Sequence, residues 1–520
     1  MKSLLDSDST YAAIDVRERG EFNKRQIFRT TCVPRRDLES LMSRLVPVKS
    51  TAIVVCDEDD GRASLAAHTL EQMGYTDISM LQGGLGAWTQ AGYELGEGTN
   101  APSKDFGEKI LVQKHVPEMT IQEYQHRVSL GEEFILIDTR TPEEFERATL
   151  PGSRNIPNGE LVLRIAEVIG DSDSTVVVHC GGRTRSIIGT QILLEMNLPN
   201  TLVGLQNGTM GWLLAGYELE TGRQPQPLPL PSSDRVAFAE TFARKLTEEH
   251  RITHLSAAEL RDLVDKGEHE TLYLVDVRTA EEYEQGHIPN FTWFPGGQTL
   301  QRTDEIMAVR TGKIVLACDG IVRSAVVARW IKEMDFPNIY VLDGGVRAWE
   351  ATGQTLEQGW PRMVPRGLIE ARETVSLMSS STLESRLETP DAPLVVDLET
   401  SSDFTQGHIS GAVWIPRGWL ELRIKDSASI GDAPIVLTCR TGEVSMLAWA
   451  GLRDMGYTNV EVLEGGKLGW SAAGFVLETG TRSIPVEPND VVIHPLGDKG
   501  RMEYYLTWEE ALGRKYESDG

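Results

Sequence analysis

The chain is poor in cysteine, has no long apolar run, and carries far fewer basic than acidic residues. Its 520 residues include 5 cysteines, an odd and sparse set that argues against a disulfide framework. The absence of a CxxC pair or a Cys/His cluster predicts that no metal is bound. No apolar run reaches the roughly 18 residues of a membrane span, and the first residues lack the apolar stretch of a secretory signal. We therefore expect a soluble, cytoplasmic protein.

The charge imbalance limits the partners that the protein can bind. There are 51 Lys and Arg residues against 77 Asp and Glu residues, which gives a net charge of −26. Such a chain repels nucleic acid and anionic lipid, so we expect neither nucleic acid nor a membrane as a partner. An anionic substrate would have to be held by a local positive site.

Four of the cysteines mark a fourfold repeat. Cys56, Cys180, Cys318 and Cys439 follow one another at spacings of 124, 138 and 121 residues, which suits a complete domain rather than a solenoid unit. Further landmarks recur in the same order: a strand-end Asp (Asp15, Asp138, Asp276, Asp397), an aromatic residue seven positions later (Phe22, Phe145, Tyr283, Phe404), and a Gly-Gly or Asn-Gly turn followed by Trp (Trp88, Trp212, Trp349, Trp470).

These landmarks assign the repeats to residues 1–97, 110–222, 250–358 and 370–480. The tail over 481–520 has no repeat partner, and the sequence assigns it no role. Residues 98–109 and the Pro-rich residues 221–234 are predicted connectors, the second of them extended. The first repeat lacks the leading segment that precedes the others.

Strand and helix patterns alternate within each repeat. In the second repeat, strands are predicted over 134–137, 175–179 and 201–205, with helices over 141–147 and 186–196. This alternation predicts an α/β fold, a small parallel sheet with helices on both faces. Ligands bind beyond the carboxyl ends of the strands in such sheets. Each repeated cysteine ends a buried strand and precedes a polar loop and a helix, so it lies at that edge.

A cysteine at this junction is suited to nucleophilic chemistry. Unpaired N–H groups and the positive end of the helix dipole favour an anion there, so we expect the thiol pKa to fall below its usual value of about 8.5. The same amides could hold the outer sulfur of a persulfide. The alternative is four inert core cysteines.

The order of the landmarks resembles the rhodanese family. The shared features are Asp-x-Arg, an aromatic, Gly-His-Ile (residues 286–288 and 407–409), strand–Cys–loop–helix, the Gly-Gly turn and Trp. The resemblance covers all four repeats and implies a thiosulfate sulfurtransferase. Such an enzyme moves sulfane sulfur from thiosulfate or a persulfide to cyanide or a thiol through a cysteine persulfide. It needs no separate cofactor. The implied partners are small sulfur-containing anions and thiols, with a sulfur-relay protein as a further candidate.

The second repeat resembles active single-domain rhodaneses most closely, and Cys180 is the first choice for the catalytic thiol. Its loop continues as Gly181, Gly182, Arg183, Thr184 and Arg185. We expect these residues to bind the substrate. The two arginines would hold a dianionic donor, although one of them could equally be a surface charge.

The third and fourth repeats supply further candidates. Cys439 is followed by Arg440, Thr441 and Gly442, a sequence that resembles the loop of thiosulfate-specific rhodaneses. Its strand end reads Asp397-Leu398-Glu399, which lacks the usual arginine and so puts a supporting ion pair in doubt. The third repeat keeps Cys318 and Arg323, but Asp319 beside the thiol should oppose thiolate formation.

The first repeat departs from the others. Cys56 is followed by four acids, Gly61 and Arg62, and a Cys-x5-Arg loop is typical of the phosphatase-like branch of the family. The acids would repel an anionic substrate and raise the thiol pKa, so this site is interpreted as decayed or regulatory. For the whole chain, the alternatives to a sulfurtransferase are a phosphatase or arsenate reductase of the same fold and a non-catalytic scaffold.

Overall fold

The computed structural model describes residues 1–265, 267, 270–480 and 488–519, so the start of the predicted tail, 481–487, lies outside the described residues. The chain forms two compact units. One comprises Met1–Thr99 with Arg362–Ile493, and therefore pairs the first repeat with the fourth. The other comprises Asn100–Pro361 with His494–Gly520, and pairs the second repeat with the third.

Each repeat contains one fully parallel sheet with the cysteine-bearing strand in its interior. The sheets have four strands in the first repeat and five in the others, and the extra strand comes from the leading segment that the first repeat lacks. In spatial order, the strands are Thr31–Cys32, Tyr11–Asp15, Ala52–Cys56 and Ile78–Met80 in the first repeat; Glu118–Met119, Leu202–Leu205, Thr175–His179, Phe134–Asp138 and Arg154–Asn155 in the second; Thr253–Leu255, Ile339–Leu342, Lys313–Ala317, Leu272–Asp276 and Thr292–Trp293 in the third; and Leu377–Met378, Val460–Leu463, Ile435–Thr438, Leu394–Asp397 and Val413–Trp414 in the fourth.

Helices cover the sheets, and the predicted fold of four tandem α/β domains is confirmed. The α-helices are Lys2–Leu5, Arg19–Lys24, Leu38–Leu45, Arg62–Gln72 and Gly84–Gln90 in the first repeat; Ala101–Lys114, Ile121–Ser129, Pro142–Arg147, Leu161–Ile169, Thr184–Glu195 and Gly208–Leu214 before and within the second; Ser233–Glu249, Ala257–Asp265, Ala280–Gln285, Gly296–Gln301, Thr303–Ile306, Val322–Glu333 and Gly345–Ala351 before and within the third; and Leu368–Thr374, Ser380–Leu387, Ser401–Gln406, Leu420–Arg423, Glu443–Asp454 and Gly466–Ala472 before and within the fourth. A last helix, Lys499–Gly513, is called the C-terminal helix below.

Two predicted segments differ from expectation. Residues 98–109 are not a simple connector, because Ala101–Lys114 is a helix that buries Phe106 and packs against the helix Thr184–Glu195. The tail has a structural place, because the C-terminal helix buries Met502 and Leu506 against the second repeat. By contrast, the Pro-rich connector has no regular structure before the helix that begins at Ser233.

The sheet cores explain the position of the cysteines. Val176, Val177 and Val178 are fully buried between the helical layers, so the strand that carries them stays inside the domain until it reaches the edge of the sheet. The chain then turns sharply into a helix at that edge. In the part of the chain that the structure describes, no helix is both long and apolar enough to cross a bilayer.

Candidate active site

Three cysteines occupy equivalent positions at the carboxyl ends of their strands. We call the six residues from Cys180, Cys318 and Cys439 onwards the cysteine loops. The carbonyl of each cysteine accepts an N–H from the helix after the Gly-Gly or Asn-Gly turn: Thr209 N–H to Cys180 O at 2.9 Å, Val346 N–H to Cys318 O at 2.8 Å, and Lys467 N–H to Cys439 O at 2.8 Å. All three side chains are buried.

The second residue of that turn must be glycine because it presses on the cysteine carbonyl. Gly208, Gly345 and Gly466 have positive φ values of 48°, 57° and 57°. A Cβ atom on any of them would lie 2.1 or 2.2 Å from the carbonyl oxygen of the loop cysteine, well inside van der Waals contact. The turn therefore fixes the start of each cysteine loop, and a larger residue would push the two apart.

The first repeat does not place its cysteine at this position. The carbonyl that accepts the corresponding N–H, from Leu85 at 3.0 Å, belongs to Asp57. Cys56 instead corresponds to His179, the residue before Cys180. The Cys56 carbonyl accepts the N–H of Val16, just as the His179 carbonyl accepts the N–H of Thr139 in the second repeat. The prediction that Cys56 is a fourth equivalent cysteine is therefore wrong.

This register also corrects the loop length. Counted from Asp57 to Arg62, the loop of the first repeat has six residues, like the cysteine loops, so the predicted phosphatase-like length is wrong as well. Cys56 belongs to the hydrophobic core with Tyr11, Leu85 and Trp88. Burial, the largest cause, raises its pKa well above the usual value, and Asp15 adds to the effect.

The Asp57 carboxylate shows what the loop can bind. One oxygen accepts the N–H of Asp59 at 2.8 Å, and the other accepts the N–H of Ala63 in the first turn of the helix at 2.9 Å. In the fourth repeat, the Gly442 N–H points at the Cys439 sulfur at 3.2 Å. The loop amides thus form a cradle for a negatively charged group on the side chain of its first residue.

A serine follows each cysteine loop, and the sequence-based prediction of the site does not include it. The Ser186 hydroxyl lies 3.5 Å from the Cys180 sulfur, and the Ser324 hydroxyl lies 3.4 Å from the Cys318 sulfur. The signal was present, because Ser186, Ser324 and Ser445 each follow the sixth loop residue, whereas the first repeat has Ala63 there.

The pKa values of two loop thiols are raised, whereas the sequence predicts that they are lowered. Burial raises the pKa of Cys439, and it raises the pKa of Cys318 with a further contribution from Asp319. The effect of Asp319 agrees with the prediction. The expected drop at the helix N-terminus does not appear at these two thiols, because removal from water outweighs the favourable N–H and hydroxyl contacts.

The last arginine of the loop is held by a glutamate from a neighbouring helix. Arg185 makes two hydrogen bonds to Glu144, of 2.6 and 2.8 Å, and Arg323 makes two to Glu282, of 2.6 and 2.7 Å. Although burial opposes it, Arg185 lowers the pKa of Glu144 to about 2. These arginines brace the loop in a fixed conformation, and in the fourth repeat Val444 takes their place.

The other predicted substrate-binding residues differ in exposure. Arg183 is buried with its guanidinium on Glu108, 2.6 Å away, so its expected contact with a donor would require it to leave that carboxylate. Gly182 and Thr184 are also buried, whereas Gly181 is partly exposed. Arg440 and Thr441 are exposed and Gly442 is buried in the fourth repeat.

The strand-end aspartates have a structural role. Asp138 pairs with Arg140 at 2.7 Å, and the first and third repeats repeat this pair. Where the fourth repeat lacks the arginine, Lys467 reaches Asp397 at 3.0 Å. Glu399, in the place of the arginine, accepts the N–H of Arg440 at 2.7 Å and so holds the start of the cysteine loop.

Comparisons with known proteins agree with this geometry. The family model described as Rhodanese-like domain matches residues 1–91, 120–215, 256–352 and 379–473. The chain therefore belongs to the rhodanese family and contains four rhodanese-like domains.

Individual relatives extend the comparison. A solved structure described as thiosulfate sulfurtransferase from Pseudomonas aeruginosa is 34% identical, with a TM-score of 0.89 over 98% of this chain and 95% of that chain. A sulfurtransferase from Allochromatium vinosum is 32% identical over 100 residues, which are 19% of this chain and 92% of the relative. The chain spans 39% and 53% of the length of two further curated relatives, a transcriptional regulator of Mycobacterium tuberculosis and a sulfur carrier protein of Bacillus subtilis.

Proposed function

We propose that the protein is a sulfurtransferase that carries sulfane sulfur as a cysteine persulfide, with thiosulfate as a donor. The observation that carries the proposal is the amide cradle. It holds a carboxylate on Asp57 in the first repeat and directs an N–H at the Cys439 sulfur in the fourth. A persulfide anion on a loop cysteine presents its negative charge to the same amides. The sulfurtransferase names of the relatives support this class of reaction.

The reaction divides into two displacements. The cysteine thiolate attacks the outer sulfur of thiosulfate, a new S–S bond forms, and sulfite leaves with the electron pair of the broken bond. Cyanide or a thiolate then attacks the outer sulfur of the persulfide and regenerates the cysteine thiolate. Because the sulfur stays covalently attached to the chain, the cycle needs no dissociable cofactor.

Cys180 and Cys439 are the proposed working thiols. The Cys180 loop contains no acidic residue, and Arg185 braces its end. At Cys439 an amide already faces the sulfur, and the neighbouring Arg440 is exposed and able to attract a dianion. Cys318 is the weakest of the three, because Asp319 opposes its ionisation. The first repeat, with Asp57 in the cradle, has a non-catalytic role in this proposal.

The wider setting follows from the same chemistry. The five cysteines are free thiols, as suits a reducing compartment, and we place the reaction in the cytoplasm. Small sulfur anions and thiols are the proposed substrates. A protein thiol could replace cyanide as acceptor, which would make the chain one step of a sulfur relay, and the sulfur carrier relative supports this idea.

The test combines thiosulfate:cyanide turnover with mass spectrometry of each cysteine-containing peptide. We expect Cys180→Ser and Cys439→Ser each to remove a large part of the activity and Cys318→Ser to remove less. Cys56→Ser should match the wild-type protein, because that side chain belongs to the core. One added sulfur atom should be found on Cys180 and Cys439. Wild-type turnover in the variant that lacks Cys180, Cys318 and Cys439 together would refute the proposal.

A further inference from the structure

The C-terminal helix lies directly on the cysteine loop of the second repeat. The Thr184 hydroxyl donates to a carboxylate oxygen of Glu509 at 2.7 Å. A Cβ atom on Gly182 would lie 3.1 Å from the other oxygen of Glu509 and 3.3 Å from the Tyr505 ring. The third and fifth residues of the loop are therefore covered by one face of this helix.

Glu509 is an unusual residue to find at this contact. Its exposed fraction is 0%, and its second carboxylate oxygen has no hydrogen-bond partner among the described residues. Lys104 is its nearest cation, at 3.5 Å. Burying a carboxylate with an unsatisfied oxygen is costly, so the contact with Thr184 is not explained by stability alone.

A second helix from outside the repeat binds Arg183, the loop residue between Gly182 and Thr184. In Ala101–Lys114, Glu108 binds the Arg183 guanidinium with two hydrogen bonds of 2.6 and 3.1 Å. Glu510 of the C-terminal helix approaches the same guanidinium at 3.4 Å. Both helices lie outside residues 120–215, the second match of the family model. The loop of the second repeat is thus held by parts of the chain that a single rhodanese-like domain does not contain.

Among the described residues, the third repeat, in the same compact unit, has no counterpart of the C-terminal helix over its loop glycine. The nearest group to a Cβ atom on its loop residue Gly320 is the Glu240 carboxylate, at 3.8 Å. The Cys318 loop is instead held by Arg323, which binds Glu282 and Glu160. Both loops place a serine hydroxyl beside the sulfur and end in an arginine held by a glutamate, so Cys318 is an internal reference for Cys180, although Asp319 distinguishes its loop.

We propose that Glu509 is a positioning residue for Cys180 and that the C-terminal helix forms one wall of that site. Thr184 is the fifth residue of the loop and also the first residue of the helix Thr184–Glu195, so Glu509, by binding its hydroxyl, fixes the conformation of the loop that carries Cys180. The wall also limits the side from which a reagent reaches the thiol. This inference deepens the proposed function and rests on Cys180 being a sulfur-carrying thiol.

The test uses the full-length chain and two readouts for each cysteine. Iodoacetamide labelling, followed peptide by peptide, measures access to the thiol, and sulfur uptake from thiosulfate measures the working geometry. Glu509→Ala should raise the labelling rate of Cys180 about tenfold and lower its sulfur uptake by a similar factor, the size expected when one buried hydrogen bond is lost. Cys318 should keep its wild-type rates in both readouts.

Two further variants distinguish loss of the Glu509–Thr184 contact from a non-specific destabilisation of the C-terminal helix. Glu509→Gln keeps the shape and an oxygen that accepts from Thr184, so it should restore both rates. Glu503→Ala removes an exposed carboxylate from the same helix and should behave like the wild type. The proposal is overturned if Glu509→Ala leaves Cys180 unchanged, or if Cys318 labelling rises together with that of Cys180. If wild-type Cys180 takes up no sulfur while its labelling still responds to Glu509→Ala, the wall stands and the proposed function fails at this thiol.

Discussion

His179, the residue before Cys180, should make the second repeat sensitive to mild acid. Its ring is fully buried and lies 2.7 Å from the Ser153 hydroxyl, on the other side of the strand from the thiol. Burial lowers its pKa from 6.5 to about 4, although Asp138 opposes the shift. The unfolded chain therefore takes up a proton below pH 6.5 that the folded chain refuses until about pH 4. Stability is complete above pH 6.5 and is lost as the pH falls through this window.

The size of the effect follows from the width of that window. Between pH 6.5 and pH 5 the loss accumulates at about 1.4 kcal/mol per pH unit, which gives about 2 kcal/mol. His179→Gln removes the titrating group, so we expect the wild type to lose about 2 kcal/mol more than this variant between pH 7.5 and pH 5. Hydrogen exchange in peptides that contain the strand Thr175–His179 measures the local unfolding free energy. Equal pH dependence in the two proteins, after correction for intrinsic exchange, would refute the assignment.

Three further substitutions probe other contacts. Arg440→Ala should raise the KM for thiosulfate up to about fivefold at low salt with kcat unchanged, because an exposed charge contributes about 1 kcal/mol or less; a KM unaffected by salt in the wild type would contradict this. Glu144→Gln should destabilise the second repeat by about 2–3 kcal/mol in urea unfolding at pH 7, since it removes the charge that Arg185 pairs with; wild-type stability would show that the pair is dispensable. Arg35→Ala should cost about 2 kcal/mol in hydrogen-exchange protection of the first repeat, because it removes two hydrogen bonds to the buried Glu421 carboxylate while Arg417 still pairs with that carboxylate, and unchanged protection would exclude this contribution.

The recurring landmarks predicted the fold because each has a local physical cause. The strand-end aspartates pair with nearby basic groups, and the four tryptophans that mark the repeats are all buried. The glycine of the Gly-Gly or Asn-Gly turn is required by its contact with the loop carbonyl. Such features repeat wherever the same sheet is built, so one chain with four copies shows them by internal comparison.

The first repeat shows where this reasoning fails. Cys56 and Cys180 each end a β-branched run, which predicts that they are equivalent, but the hydrogen-bond register places Cys56 one residue earlier than Cys180. The distance to the methionine at the end of the next helix contained the answer, since Asp57 lies 16 residues before Met73, as Cys180 lies 16 before Met196.

Long-range contacts account for the remaining differences. Nothing local in the polar residues after position 98 marks them as a helix over the Cys180 loop, and the tail gave no sign that Glu509 would reach Thr184. The Arg183–Glu108 and Thr184–Glu509 contacts join residues 75 and 325 positions apart, so no periodicity or spacing within a repeat records them.

The pairing of the first repeat with the fourth affects how the chain is made. Their unit is interrupted by the whole of Asn100–Pro361, which ribosomes produce at roughly 5–20 residues per second. The first repeat therefore waits some tens of seconds for the partner that covers Arg35. During that delay the surface of the first repeat around Arg35, which later contacts the fourth repeat, is open to other proteins. A slow stretch of translation would prolong this exposure. Chaperone demand during synthesis should thus be concentrated on the amino-terminal repeat, even though the finished protein buries that surface.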